Sequence, residues 1–152
     1  MIAVVQRVSR ASVSVAETAY HAEIGRGLVV LLGVMNGDQR ADAAWLAGKI
    51  ARLRLFPDDA ALMNRSVIDV GGEALVVSQF TLAGNCRRGN RPSFDHAAPP
   101  EVAQSLYEHF VQHLRDVESV PTRTGVFRAM MAVELVNDGP VTLIINTTDR
   151  PR

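Results

Sequence analysis

Apolar positions along this chain recur first with a period of two and later with the spacing of helical turns. Residues 2–8 (IAVVQRV) are β-branched and partly alternating, which predicts a strand. Residues 11–16 alternate cleanly, with Val13 and Val15 on one face and Ser12 and Ser14 on the other, predicting a second strand. A third, over 21–24, ends at Gly25-Arg26-Gly27. The run GLVVLLGVM is apolar on both faces, as in a strand covered from both sides. The turn Asn36-Gly37-Asp38 closes it, and Asp38 is suited to cap a helix over 39–53. Leu46, Ile50 and Leu53 form the buried stripe of that helix, beside Trp45 and Lys49.

Residues 54–56 are expected to return to the sheet before Pro57-Asp58-Asp59. Gly71-Gly72 introduces a strong strand over 73–80 (EALVVSQF), and a loop rich in Arg, Gly, Asn and Pro follows over 83–99. Pro100 opens a second helix, a favourable first-turn position, with a stripe of Val102, Leu106, Phe110, Leu114 and Val117. Pro121 and Gly125 break the chain, and two final strands, 130–136 and 141–146, flank Asn137-Asp138-Gly139-Pro140. Strands outnumber helices. The pattern predicts an α/β protein with a largely antiparallel or mixed sheet and two main helices on one side.

At 152 residues the chain is expected to be one domain over 1–152, large enough to bury a core without a metal or disulfide staple. With 47% hydrophobic and 21% charged residues it is neither disordered, collagen-like nor a coiled coil. No apolar run approaches the roughly 18 residues of a membrane span. The N-terminus carries early charge and no small-residue cleavage site, so it reads as mature protein, not a signal peptide. Cys86 stands alone, which excludes an internal disulfide and a cysteine-based zinc site. Without an export signal, a cytoplasmic location is expected. Sixteen basic and sixteen acidic residues give a formal net charge of zero. That argues against a DNA-wrapping protein and leaves little repulsion against self-association.

His109 and His113 lie four apart on a predicted helix, which could place two metal ligands on one face, but no third ligand accompanies them. Two polar residues on a solvated helix flank is the plainer reading, and no metal is expected. The chain has no G-x-S-x-G, P-loop or G-x-G-x-x-G motif. Cys86 stands beside Arg87 and Arg88 with no histidine tied to it by sequence, the pattern of an incidental loop cysteine. More informative is Ser78-Gln79-Phe80-Thr81-Leu82, followed by Arg87, Arg88 and Arg91. Hydroxyls and an amide at a strand end can line a polar pocket, and the arginines can hold a phosphate backbone beside it. Taken alone, the same residues read first as an ordinary strand end and a solvated basic loop, because Ser, Thr and Arg are common there. Asn137-Asp138-Gly139-Pro140 is locally a plain hairpin turn or, alternatively, a rigid Gly-Pro tip presenting carbonyls to a ligand.

Together, SQFTL, RRGNRPSF and VELVNDGPVT, in this order and at these distances, resemble the D-aminoacyl-tRNA deacylase family. MIAVVQRVSRASV, IGRGLVVLLGV and DVGGEALVVSQFTL also match, so the resemblance runs from Met1 to about Asn146. It implies a three-layer α/β/β fold and a cytoplasmic homodimer that hydrolyses the ester joining a D-amino acid, or mischarged glycine, to tRNA. It implies neither metal nor organic cofactor. Ser78, Gln79, Phe80 and Thr81 would form the catalytic wall of the pocket, with Phe127 and Met131 at its amino-acid end. Gly139-Pro140, expected to be cis, would reach into the partner subunit's pocket. Arg87, Arg88 and Arg91 would contact tRNA. The chain departs from the family in one loop, where Asn85-Cys86-Arg87-Arg88-Gly89 replaces the common Asp-Thr-Arg-Lys-Gly. Arginine keeps the charge of lysine but not its geometry, so tRNA affinity and preference are the properties most exposed to that change.

Thr81 is well placed for a nucleophile, yet a threonine hydroxyl needs an activating base and the motif supplies none. The expected mechanism is assisted by the 2′-hydroxyl of the terminal adenosine, with backbone N–H groups near Phe80 and Thr81 holding the oxyanion. Two competing readings are a non-catalytic dimeric module that binds aminoacyl-tRNA, and a hydrolase of free D-amino-acid esters.

Overall fold

The computed structural model describes residues 1–150, so Pro151 and Arg152, the end of the expected 1–152 domain, lie outside the described residues. Strand β1 (Ile2–Val15) is the long spine of the molecule. It pairs antiparallel with β2 (Tyr20–Ile24) through its second half and with β3 (Gly27–Gly33) through its first half. Strand β6 (Glu73–Ser78) lies parallel to β3, and β7 (Thr122–Thr124) lies parallel to β6. Strand β8 (Ala132–Asn146) runs antiparallel along the other side of β1. The sheet is therefore mixed, as expected.

The two strands expected over 2–8 and 11–16 are one bent strand. In its pairing with β8, Val8 faces Asn137 and Arg10 faces Val136, leaving Ser9 as an extra residue. One inserted residue reverses side-chain parity, because a strand alternates faces at every step. Ala3 and Val5 face one core, while Ala11 and Val13, of the same parity but beyond the extra residue, face the other together with Val8. The bend folds β2 and the adjoining halves of β1 and β8 over the opposite face of β3 and β6. The Tyr20 hydroxyl spans this second interface and donates to the Thr124 carbonyl at 2.8 Å. The result is the expected three-layer α/β/β arrangement.

Helices α1 (Arg40–Arg52) and α2 (Pro100–Gln112) cover the first face. Leu46, Ile50, Phe110 and Leu114 are fully buried there, and each such side chain stabilises by about 1.5–3 kcal/mol. Val102 and Val117, expected in the α2 stripe, are exposed instead. Beyond α2 the chain widens into a π-type turn over His113–Val117, and this altered spacing carries Val117 out of the stripe. Asp38 does not cap α1. Its carboxylate accepts from the Met35 N–H at 2.6 Å and meets the Met1 amino group, while Asp42 accepts from the Gln39 N–H at 2.9 Å. The segment expected to rejoin the main sheet forms β4 (Phe56–Pro57), which pairs with β5 (Met63–Arg65) in a separate two-stranded sheet.

The two expected final strands are likewise one. Between the pairs Gln6–Thr142 and Val8–Asn137, β1 advances two residues and β8 five, so Asn137-Asp138-Gly139-Pro140 is a bulge and not a hairpin turn.

Candidate active site

Strand β6 ends at Ser78, two residues earlier than expected, and Phe80–Ala83 forms a 3-10 turn. The turn is pinned to β3 by the Gln79 N–H, which donates to the Leu32 carbonyl at 2.8 Å. Gly33 permits this approach: a Cβ there would lie 3.1 Å from the Gln79 carbonyl oxygen and from the Leu82 Cβ. As the first residues of the turn, Phe80 and Thr81 have N–H groups that the turn itself cannot satisfy.

Around the turn lies a largely apolar cavity of about 630 Å³. Ser78, Gln79, Phe80 and Thr81 line it with Phe127 and Met131, so six of the sequence-predicted residues come together there. The Gln79 side-chain amide donates to the Thr81 hydroxyl at 2.6 Å. The Phe80 ring, 57% exposed, meets Phe94 edge-on at 5.2 Å and ties the turn to the loop that follows. Ala97, Ala98, Pro100 and Ala103 supply a smooth wall from the start of α2.

The second wall hangs from the same strand. The Gly125 N–H donates to the Val76 carbonyl at 3.0 Å, and the Tyr107 hydroxyl donates to that carbonyl at 2.8 Å. Burial raises the pKa of the Tyr107 phenol, so it remains a neutral donor. The Tyr107 ring packs on Phe127 with centroids 6.0 Å apart. A Cβ on Gly125 would meet the Met131 sulfur at 2.5 Å, which explains the small residue there. Among the described residues, no histidine, aspartate or glutamate lines the cavity, and its one charged residue is Arg128. Arg128 escaped the sequence reading, as did the small residues of the α2 wall. The cavity arrangement can orient an ester and offer it N–H donors, but it holds no general base.

Gly139 and Pro140 do not line this cavity. Their peptide bond is cis, as expected, and both residues are exposed in the β8 bulge. Arg7, only 8% exposed, holds the bulge in place. Its Nε donates to the Asp138 carbonyl at 3.1 Å and lies 2.9 Å from the Asp138 carboxylate, while Nη1 donates to the Leu55 carbonyl at 2.5 Å. Asn137 closes the bulge by donating to the Arg7 and Val141 carbonyls. A cation in the otherwise apolar alternation of IAVVQRV was the signal that could have marked Arg7. Arg87, Arg88 and Arg91 are exposed on a loop closed by mutual backbone bonds between Asn85 and Ser93, and none lines the cavity.

The family described as D-Tyr-tRNA(Tyr) deacylase matches residues 4–146. A D-aminoacyl-tRNA deacylase of Geobacter sulfurreducens is 58% identical over 150 residues, covering 99% of this chain and 97% of the relative. A solved structure titled c-Myc DNA Unwinding Element Binding Protein superimposes with a TM-score of 0.87 at 41% identity, covering 96% of this chain and 98% of that one. A probable eukaryotic D-amino acid tRNA deacylase shares the fold, with a TM-score of 0.79 at 16% identity and coverage of 95% and 97%. The chain belongs to the D-Tyr-tRNA(Tyr) deacylase family.

Proposed function

We propose that this chain is a D-aminoacyl-tRNA deacylase, a carboxylic ester hydrolase acting in translation quality control. Water adds to the ester carbonyl, the bond to the terminal ribose oxygen breaks, and free D-amino acid and tRNA leave. The observation that carries the reading is the cavity wall of Ser78, Gln79, Phe80 and Thr81 facing Phe127 and Met131, in a chain whose relatives carry that name.

The absence of acidic and histidine side chains from the wall supports catalysis by positioning. Thr81 has an amide donor beside it and no base, so its hydroxyl shapes the pocket and is not the nucleophile. The 2′-hydroxyl of the terminal adenosine helps activate the water, and the Phe80 and Thr81 N–H groups hold the oxyanion. In the dimer, Gly139-Pro140 of one subunit closes the cavity of the other. Its carbonyls crowd the α-carbon, so an L side chain is excluded and glycine, having none, is accepted. A Gly139-Pro140 tip outside its own chain's cavity supports that crossing. Arg87, Arg88 and Arg91 hold the tRNA backbone. The enzyme works in the cytoplasm and needs no metal or organic cofactor.

The test compares D-tyrosyl-tRNA with D-tyrosine methyl ester and with D-tyrosyl-tRNA ending in 2′-deoxyadenosine. Hydrolysis of the first alone is expected. Equal cleavage of the methyl ester would make the chain a general D-ester hydrolase. Tight tRNA binding without any cleavage would make it a dimeric aminoacyl-tRNA-binding module.

A further inference from the structure

The cavity's second wall turns sharply at Val126-Phe127-Arg128-Ala129, where the Ala129 N–H donates to the Val126 carbonyl at 3.2 Å. Arg128 occupies the third position of this turn with φ at 64°. That conformation favours glycine, because a Cβ in the left-handed region crowds the neighbouring carbonyl. A long, cationic side chain is therefore set against the local preference, in a turn that lines the cavity. An unfavourable backbone held at a site is a reason to look for a use of the residue.

Arg128 is also electrostatically unengaged. It is exposed, and among the described residues no carboxylate pairs with it and no side-chain hydrogen bond involves it. Arg7 and Arg52, by contrast, each hold a carboxylate. The remaining lining residues are neutral, so among the described residues Arg128 is the one charge on the cavity lining. On the proposed function, the group entering beside it is the aminoacylated end of a polyanion. Its scissile ester sits on the terminal ribose, and the nearest anion is that nucleotide's own 5′-phosphate. A guanidinium offers a planar pair of donors suited to phosphate oxygens.

We propose that Arg128 is a substrate-binding residue that holds the 5′-phosphate of the terminal nucleotide and so fixes how deeply the ester enters the cavity. This rests on the deacylase reading and adds a phosphate contact separate from the Arg87, Arg88 and Arg91 loop.

The test uses the full chain and R128G, since glycine suits this backbone and the variant is expected to fold; R128K keeps the charge without the fork. With D-tyrosyl-tRNA, R128G is expected to raise KM about tenfold while leaving kcat within about threefold, and to make the slope of log KM against log salt shallower by about 0.7, the share of one single-strand phosphate contact. R128K recovers part of the loss. On D-tyrosyl-adenosine, which lacks the 5′-phosphate, R128G and wild type are expected to converge. Unchanged KM and salt slope on D-tyrosyl-tRNA would overturn the assignment. So would an equal loss on both substrates, which would place Arg128 at the ester or in the fold. So would dissociation of the dimer in R128G. A wild-type chain that cleaves D-tyrosyl-adenosine but not D-tyrosyl-tRNA, or neither, overturns the deacylase reading and Arg128's role with it.

Discussion

Gln79, just before the 3-10 turn, and Thr81 within it are separated only by Phe80, and the Gln79 amide donates to the Thr81 hydroxyl at 2.6 Å. The bond fixes the threonine rotamer and occupies a lone pair of the oxygen that a nucleophile would use. Among the described residues the cavity lining has no histidine or carboxylate to remove the hydroxyl proton. Thr81→Ala should therefore keep its single-turnover deacylation rate within about tenfold of wild type, since an unactivated hydroxyl contributes little as a nucleophile. Complete loss of rate, with fold and tRNA binding intact, would reinstate Thr81 as the attacking group.

The anchor of the second motif is Arg7. Truncation to alanine leaves the Leu55 carbonyl without its donor and frees the Asp138 bulge. Asp138 is half-exposed, so the ion pair itself adds little. The buried hydrogen bond dominates, and urea unfolding of Arg7→Ala should show a loss of about 1–3 kcal/mol. On the proposal that Gly139-Pro140 closes the partner's cavity, deacylation should also fall, by about 100-fold, because the bulge is displaced. Wild-type rates in Arg7→Ala would remove the bulge from the mechanism.

The two strongest sequence signals, periodicity and the SQFTL motif, carried over into the structure because both are local. Two-residue alternation placed the segments of β1, apolar runs bounded by glycines placed β3 and β6, and the 78–81 segment does form a cavity wall with Phe127 and Met131. What escaped depends on distant partners. The extra residue at Ser9 exists only relative to β8, so two strands were expected where one bends. The Asn137-Asp138-Gly139-Pro140 bulge looked like a hairpin because its tether, Arg7, lies 131 positions away from Asp138. Asp38 resembled a cap, yet its partners include the Met1 amino group. Arg128 carried no sequence signal at all, since its distinction is a backbone angle.

Proton linkage separates stability from catalysis. Burial lowers the pKa of His109, and repulsion from Arg40 and His113 adds to the shift. The native state then binds fewer protons than the unfolded chain. Its stability is penalised as pH falls through the unfolded histidine value of about 6.5, and the penalty is complete below the lowered native value. His109→Gln should gain stability relative to wild type between about pH 8 and pH 5, as followed by thermal unfolding. The deacylation profile over this range should show no histidine inflection and should be the same in both proteins. A stability difference that does not change with pH would contradict the linkage.

Among the described residues strand β8 pairs only with β1, and it carries exposed apolar residues, among them Ile144 at 72% exposure, beside a long free edge. Such an edge invites a second chain. Sedimentation should give a dimer at micromolar concentration. Ile144→Asp should shift it toward monomer and lower deacylation in proportion. An active monomer would show that no part of the site crosses between subunits.

The most direct measurement is single-turnover deacylation of D-tyrosyl-tRNA beside L-tyrosyl-tRNA, with EDTA present throughout. Rapid loss of the D ester with the L ester spared is the predicted result, and it would also show that no chelatable metal is needed. Equal hydrolysis of both esters, or hydrolysis abolished by the chelator, would contradict an account built on a metal-free pocket that selects by shape.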